Sequence, residues 1–460
     1  MRIASDGLPA TIENRTFDEL AIGDSATISR TLSADDLALA DALRGEPGPA
    51  GLAAICGTAL IDALLTTRLP GPGATLRRHD LHVVRPLHVG DTLVVTLTLR
   101  AKDAADQRAV FAAHGVDQRG AIVLEGTVEA QAPIERIVLL REEPPRIDIQ
   151  RHQRWDALLE SCRALPPLPT AVVFPCDRLS IAAAIDAAAA GLIAPLLIGP
   201  RDVIARAARD AGREIGDLPL LEAADPAGAA AAGVAEVVAG RSAALMKGAL
   251  HTDVLLHAIV TEPALRTQRR ISHCYLFDAP GRPEPFILTD CVVAIAPTLA
   301  EKADIVRNAI DLAHALGIAT PRVAILSAVE TVNPKIASTL DAAALAKMAD
   351  RGQITGALVD GPFGFDNAIS AEAAGIKHIA SPVAGRADVL VVPDLEAGNM
   401  LAKDLEFLSH ADAAGIVLGA RVPVVLTSRA DTLRMRLASC ALAVRVTAAV
   451  RAAATSPRAT

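Results

Sequence analysis

AGRADVLVVPDLEAGNMLAKDLEFLSHADAAGIVLGARVPVVLTSRAD, residues 384–431, decides the fold. Ala387–Val392 is a short apolar run bounded by Pro393, the mark of a buried strand. The loop Asp394–Gly398 opens a helix containing Met400–Leu408. Val422–Leu426 is a second strand-like run and stops at Thr427-Ser428-Arg429, and a helical pattern follows through Leu433, Leu437 and Leu442. Strands alternating with helices predict parallel βαβ units, whose ligands bind beyond the carboxyl ends of the strands. Asp394, Asn399 and the Ser428-Arg429 pair are thereby expected on one rim. A helix N-terminus with a hydroxyl and a guanidinium beside it suits an anion such as phosphate.

Outward from this stretch, 460 residues allow two or three domains. Hydrophobic residues make up 51%, which argues for packed cores rather than disorder. Net charge is -8 and aromatics are 2%, so basic grooves and stacking platforms for nucleic acid are not expected. Six scattered cysteines without a CxxC pair read as reduced thiols of a cytoplasmic protein, with neither a disulfide scaffold nor a metal site. The N-terminus has no apolar core region and is not read as a signal peptide. The most membrane-like run, Leu179–Ile198, carries Asp186, Gly191 and Pro195 and reads as a buried helix followed by a strand, with no membrane span.

The first 140 residues have a different pattern. Leu52–Leu69 has the length of one central buried helix. Val83–Leu87 and Leu93–Leu99, divided by the turn Gly90-Asp91, alternate as strands, as do Ala109–Ala113 and Ala121–Ala130. A helix followed by antiparallel strands predicts an α+β domain with its sheet wrapped on the helix. That order, with FDELAIGDSATISRTLSADDLALADA, LPGPGATL and RPLHVGDTL, resembles the MaoC-like (R-specific enoyl-CoA hydratase) hot-dog family. The resemblance implies an Asp and a His acting on water within G-D-x-N-P-x-H. Here the matching residues are Gly45, Glu46, Pro47, Gly48, Pro49, Ala50 and Gly51, so Gly51 stands where the His belongs. Cys56 precedes Gly57 where the family has a second His. His79, His82 and His88 lie downstream and read as surface or cross-strand residues. The domain is therefore expected not to hydrate enoyl-CoA. Two readings stay open: Glu46 keeps weak hydratase activity, or the domain is an acyl-CoA-binding or dimerising module, which would make a homo-oligomer.

Prolines 144, 145, 166, 167 and 169 punctuate a linker, 141–169, with Trp155 packing at the domain junction. From Thr170 the pattern is α/β. No GxGxxG or GxxxxGK[ST] follows a strand, so dinucleotide and P-loop readings have no motif. Ala244–Val260 reads as one helix grouping Lys247, His251, Thr252 and Asp253. Arg269-Arg270 is either a CoA phosphate contact or a solvated turn. Asp290 ends a strand, Asn333-Pro334-Lys335 follows the strand Val323–Leu326, and Asp360 and Asp366-Asn367 follow the strand Ile354–Val359. Each such cluster alone is a turn or cap; several on successive strands make a site rim.

LMKGALHTD, NPKI, DGPFGFDNAIS, ADVLVVPDLEAGNMLAK and LTSRAD together resemble the phosphate acetyltransferase/phosphate butyryltransferase family over about residues 150–450. The implied fold is a two-lobed α/β domain of the isocitrate/isopropylmalate dehydrogenase-like type behind the α+β hot-dog domain. Lobe 1 would be about 170–284 plus 429–460 and lobe 2 about 285–428, with the hot-dog over 1–140. The implied reaction converts acyl-CoA and inorganic phosphate to acyl phosphate and CoA, with coenzyme A as substrate and no metal or tightly bound cofactor. Ser428 would stabilise the charged carbonyl oxygen and Arg429 would hold the phosphate bidentately. Lys247, Thr252, Asp253, Arg270, Asn333, Lys335, Asp366, Asn367, Asp394 and Asn399 are the candidate substrate contacts. The general base is open between Asp431, Asp290 and Asp360. The acetyl branch is expected to carry an Asp seven residues after the Ser, where Met435 stands, and the SRAD form resembles the butyryl branch. Ser428 to Asp431 also has the form of a capping box. For the front domain the expected outcome is that the 1–145 fragment does not turn over crotonyl-CoA at an enzyme-like rate.

Overall fold

The computed structural model describes residues 11–45, 52–140, 153–282, 284–427 and 431–455. The chain forms two compact units, Met1–Ile149 and Gln150–Thr460.

The first unit contains β1 (Thr11–Glu13), β2 (Ser25–Thr31), α1 (Ala34–Arg44), α2 (Leu52–Thr67), β3 (Thr75–Val83), β4 (Thr92–Asp103), β5 (Arg108–Val116), β6 (Ile122–Gln131) and β7 (Val138–Leu140). Five strands make an antiparallel sheet in the order β2-β4-β5-β6-β3, and β1 pairs with β7. The period of two decides which face is buried: Leu93, Val95, Leu97 and Leu99 of β4 are all fully buried. They pack on α2, whose Ile61, Leu64 and Leu65 are equally inaccessible. Three such side chains contribute roughly 5–9 kcal/mol by burial, an upper figure. This is the helix-in-sheet hot-dog arrangement. Val83–Leu87 is not a strand: Val83 ends β3, and the chain then turns. The strand TLRRHDLHV lies at the sheet edge with mostly exposed side chains, so it carries no apolar alternation to read. Glu46 and Gly51 lie outside the described residues.

The second unit begins with α3 (Gln153–Glu160), not at Thr170. Trp155 and Cys162 are buried in its core, so residues 153–169 belong to it rather than to a linker. Next come β8 (Leu168–Val173), α4 (Arg178–Ala189), β9 (Ile193–Ile198), α5 (Arg201–Asp210), β10 (Leu220–Leu221), α6 (Pro226–Val238), β11 (Ala244–Lys247) and α7 (Thr252–Thr261). After these are β12 (Ser272–Asp278), β13 (Phe286–Thr289), α8 (Leu299–Ala315), β14 (Arg322–Leu326), α9 (Ala337–Asp350), β15 (Leu358–Phe363), α10 (Phe365–Ile369), α11 (Ala371–Ile376) and β16 (Val389–Val391). The unit ends with α12 (Leu395–Phe407), β17 (Asp412–Leu418), β18 (Val424–Val425) and α13 (Leu433–Thr455). α13 is long and apolar enough to cross a membrane, but it packs on α3, α4, α8 and β17.

All eleven strands join one sheet, in the order β10-β9-β8-β11-β18-β17-β12-β13-β16-β14-β15. The first five run parallel, as do the last four, while β17 and β12 are antiparallel to both neighbours. The sheet is therefore mixed, not wholly built of parallel βαβ units. The unread strand is β17, DAAGIVL, which supplies the reversal. A sheet twists by roughly 20–25° per strand, so the seven steps from β8 to β14 turn it by about 150°. Strands that are locally opposed thus end on one side.

Two further expectations change. Asp360 lies inside β15, opposite Ala324 of β14, and the strand starts at Leu358 rather than Ile354. Ala244–Val260 is strand, turn and helix rather than one helix. ALMK is buried between β8 and β18, and Gly248 then crosses the end of β8, its N–H donating to Val173 O at 2.8 Å. A Cβ on Gly248 would lie 2.4 Å from Phe174 O and 2.5 Å from Val173 O. Gly248→Ala is expected to destabilise this unit by about 1–3 kcal/mol, read as a lower urea midpoint; an unchanged midpoint would mean that the turn relaxes freely.

Candidate functional site

Two cavities adjoin at His251, Thr252 and Val292. The smaller, of about 280 Å³, is lined further by Lys247, Leu250, Tyr275, Asn399, Lys403, Leu426 and Thr427. The larger, of about 1600 Å³, runs between the start of α7, the loop 266–271, the segment 292–297 and the first turns of α8.

The ends of secondary elements set each polar group here. Lys247 is the last residue of β11 and only 7% exposed. Thr252 and Asp253 form the first turn of α7, behind His251 at its N-cap. Asn399 on α12 donates to Cys291 O at 3.2 Å, tying the helix to the turn after β13. Lys403, one helical turn on, pairs with the largely buried Glu406 at 2.5 Å. Thr427 follows β18, and its hydroxyl accepts from Arg436 Nη1 at 3.0 Å. Arg436 Nε also donates to Asp431 O at 3.2 Å. One buried guanidinium thus holds both ends of the segment containing Ser428 and Arg429, which lie outside the described residues.

The carboxylates divide by what they already accept. Asp290 is 3% exposed, and its oxygens take the N–H groups of Val292, Val293 and Ala294 at 2.9–3.1 Å. Burial raises its pKa, with those hydrogen bonds opposing. Asp431 is buried, and its charge, after burial itself, pushes the Tyr275 hydroxyl well above the ordinary range. α13 starts at Leu433, and Thr432 Oγ1 accepts the Met435 N–H at 3.3 Å. The expected capping box of Ser428 with Asp431 rests on Ser428, outside the described residues.

Other candidates sit elsewhere. Asp360 accepts from Gly361 N–H and Ser381 on the edge strand β15 and lines neither cavity. Asn333 and Lys335 form a turn closed by Thr339, and Asp366 pairs with Lys377 at 3.1 Å. Asn367 is fully buried, and its side-chain amide donates to Glu330 at 3.5 Å. None of these four lines either cavity. Asp394 caps α12, accepting the Ala397 N–H at 2.9 Å. Arg270 lies on the wall of the larger cavity, paired with Glu301 at 2.9 Å. Among the described residues no group of three His, Cys, Asp or Glu could hold a metal ion.

Sequence reasoning missed Tyr275, Lys403, Thr427 and Arg436. Tyr275 had a signal: it is the single tyrosine of a chain with 2% aromatics. Lys403 lay within a quoted motif. Arg436 had none, because its role depends on the turn bringing α13 back beneath β18.

The family "Phosphate acetyl/butaryl transferase" matches residues 223–444. The phosphate acetyltransferase of Rhizobium meliloti is 57% identical over 306 residues, covering 65% of this chain and 95% of that protein. The chain belongs to the phosphate acetyl/butyryltransferase family. The phosphate butyryltransferase of Clostridium beijerinckii is 38% identical over 64% of this chain and 98% of its own length. A branched-chain phosphotransacylase structure from Enterococcus faecalis V583 is 31% identical, with TM-score 0.53, over 61% of this chain and 99% of its own. An R-hydratase structure from Pseudomonas aeruginosa is 30% identical over 30% of this chain and 99% of its own, with TM-score 0.28. In this acyltransferase Met435 is a core residue packed near Phe277 and Phe286, so no base can act from that position.

Beneath the small cavity lies His273, fully buried edge-on to Tyr275 with ring centroids 4.3 Å apart. Burial lowers its pKa from 6.5 to about 3, so it folds neutral. The unfolded chain takes up the proton first, and stability falls as pH drops from about 6.5 towards 3. In His273→Leu the urea midpoint is expected to change less between pH 7 and pH 5 than in the wild type. Equal changes in both proteins would overturn the buried neutral imidazole.

Proposed function

We propose that the small cavity binds phosphate and the acyl group while the larger cleft takes coenzyme A. The enzyme is an acyltransferase, and the reaction is acyl-CoA plus phosphate to acyl phosphate plus CoA. The observation that carries this division is the convergence of Lys247, Asn399, Lys403 and Thr427 on the small cavity at the mouth of the large cleft. Two lysines answer the charge of phosphate, and Arg429, next but one to Thr427, supplies a bidentate contact. Ser428 with a backbone N–H stabilises the oxygen that becomes negative when phosphate attacks the thioester. Holding both substrates in one cleft supplies much of the rate. In the reverse direction, where CoA attacks acyl phosphate, Asp431 is the better candidate base for the thiol proton, because three backbone N–H groups already occupy Asp290.

Acetyl is the preferred acyl group in this reading, supported by 57% identity to an acetyltransferase against 38% to a butyryltransferase. The halves of the second unit, about 170–284 with 429–460 and about 285–428, act as two lobes of the isocitrate/isopropylmalate dehydrogenase-like type. The front unit acts as a non-hydrating acyl-CoA-binding or dimerising module of a cytoplasmic homo-oligomer. At its site Cys56 replaces a histidine, and burial raises the thiol pKa, which suits it poorly as a base.

Release of CoA from acetyl-CoA and butyryl-CoA, with and without phosphate, tests the reading. Arg429→Ala and Lys247→Met are each expected to lower phosphate-dependent kcat/KM at least ~100-fold, on the order of 2.7 kcal/mol of transition-state stabilisation. Full activity in both variants would remove these residues from the phosphate site.

A further inference from the structure

We infer that the Tyr275 ring closes the acyl end of the small cavity and limits the acyl chain to two carbons. The inference rests on the acyltransferase reading above and adds a residue that sets its substrate.

The lining of the small cavity has two chemistries. Lys247, Lys403, Asn399 and Thr427 offer cations and hydrogen-bonding groups; Leu250, Tyr275, Val292 and Leu426 offer carbon. A phosphate dianion gains from the first set and would lose its hydration without compensation against the second. An acyl tail has the opposite preference. The large cleft meets this cavity at Thr252 and Val292, the side from which the thioester enters.

Tyr275 is fitted to be a stop because its ring has no room to retreat. It is 5% exposed and sits on β12, which is hydrogen-bonded on both sides. His273 packs edge-on at 4.3 Å, and Phe277 lies 5.4 Å away between centroids. Across the pair of strands, a Cβ on Gly415 would already lie 3.0 Å from Tyr275 Cε1 and 2.8 Å from His273 Nε2. An interior packed this closely resists an added methylene rather than absorbing it. The cavity, about 280 Å³, stands at the bottom of the size range of small-molecule sites. A single methylene at such a wall is worth roughly 10–200-fold in discrimination.

The test measures kcat/KM of the full-length protein for acetyl-CoA and butyryl-CoA at saturating phosphate, in wild type, Tyr275→Phe and Tyr275→Leu. The wild type is expected to favour acetyl-CoA by ~10-fold or more. Tyr275→Leu raises the butyryl-to-acetyl ratio at least ~10-fold, whereas Tyr275→Phe, which keeps the ring and loses only the hydroxyl, retains the wild-type ratio. A ratio in Tyr275→Leu that stays at the wild-type value overturns the inference, as does a wild type that favours butyryl-CoA. If circular dichroism finds Tyr275→Leu unfolded, Tyr275→Met removes the ring with a more adaptable side chain, and an unchanged ratio there has the same force. A wild type releasing no CoA from either thioester in a phosphate-dependent way would overturn the acyltransferase reading itself, a result distinct from any change in ratio.

Discussion

The second unit depends on two adjacent strands, β12 and β17, each paired against the direction of both its neighbours. β12 runs antiparallel to β17 and to β13, and its every residue but the last is buried. Two parallel half-sheets meet through this reversal, and twist then turns their carboxyl ends towards a shared side. Three antiparallel junctions in succession, β18–β17, β17–β12 and β12–β13, leave the two halves running in opposite directions, and the end of β11 with Lys247 and the turn after β13 with Val292 line one cavity. β12 also carries His273 and Tyr275, so the strand that joins the halves forms the floor of the site.

Much of this was legible in sequence because local chemistry and global fold agree there. Motif order, the buried runs of β14 and β16, and the opening of α12 after Asp394 needed no tertiary information. Legibility failed where a residue's role is set by something distant in the chain. β17 reads as a mixed run, DAAGIVL, and becomes a strand through pairing with β12 and β18. Lys247 looked helical because ALMK is short and made of strong helix formers; burial between two strands decides otherwise. The edge strand β3 shows the converse case, in which exposure leaves no pattern to read.

The candidate acids show the same limit. Position in a motif ranked Asp290, Asp360 and Asp431 together, whereas their hydrogen-bond partners separate them. Asp290 organises the turn after β13, Asp360 fastens an edge strand to Ser381, and Asp431 sits beside Tyr275. A carboxylate already accepting three backbone N–H groups has few lone pairs to spare for a substrate proton. Tyr275 and Arg436 were invisible for a related reason, since each acts through a neighbour far along the chain.

α13 packs on α3 and α4, from the beginning of the second unit, and on α8 and β17, from its later part. Its Cys440, Ala441, Leu442 and Ala443 are fully buried there, and Cys162 Sγ donates to Ala441 O at 3.7 Å. The core around Trp155 therefore stays open until the last helix arrives. On a ribosome, which delivers the chain from its N-terminus, the front unit can finish while it is tethered. The second unit must wait for nearly its whole length to emerge, exposing α4's apolar face throughout. Its core closes only when α13 packs, so that one helix, rather than the order in which the strands were made, decides when the unit is complete.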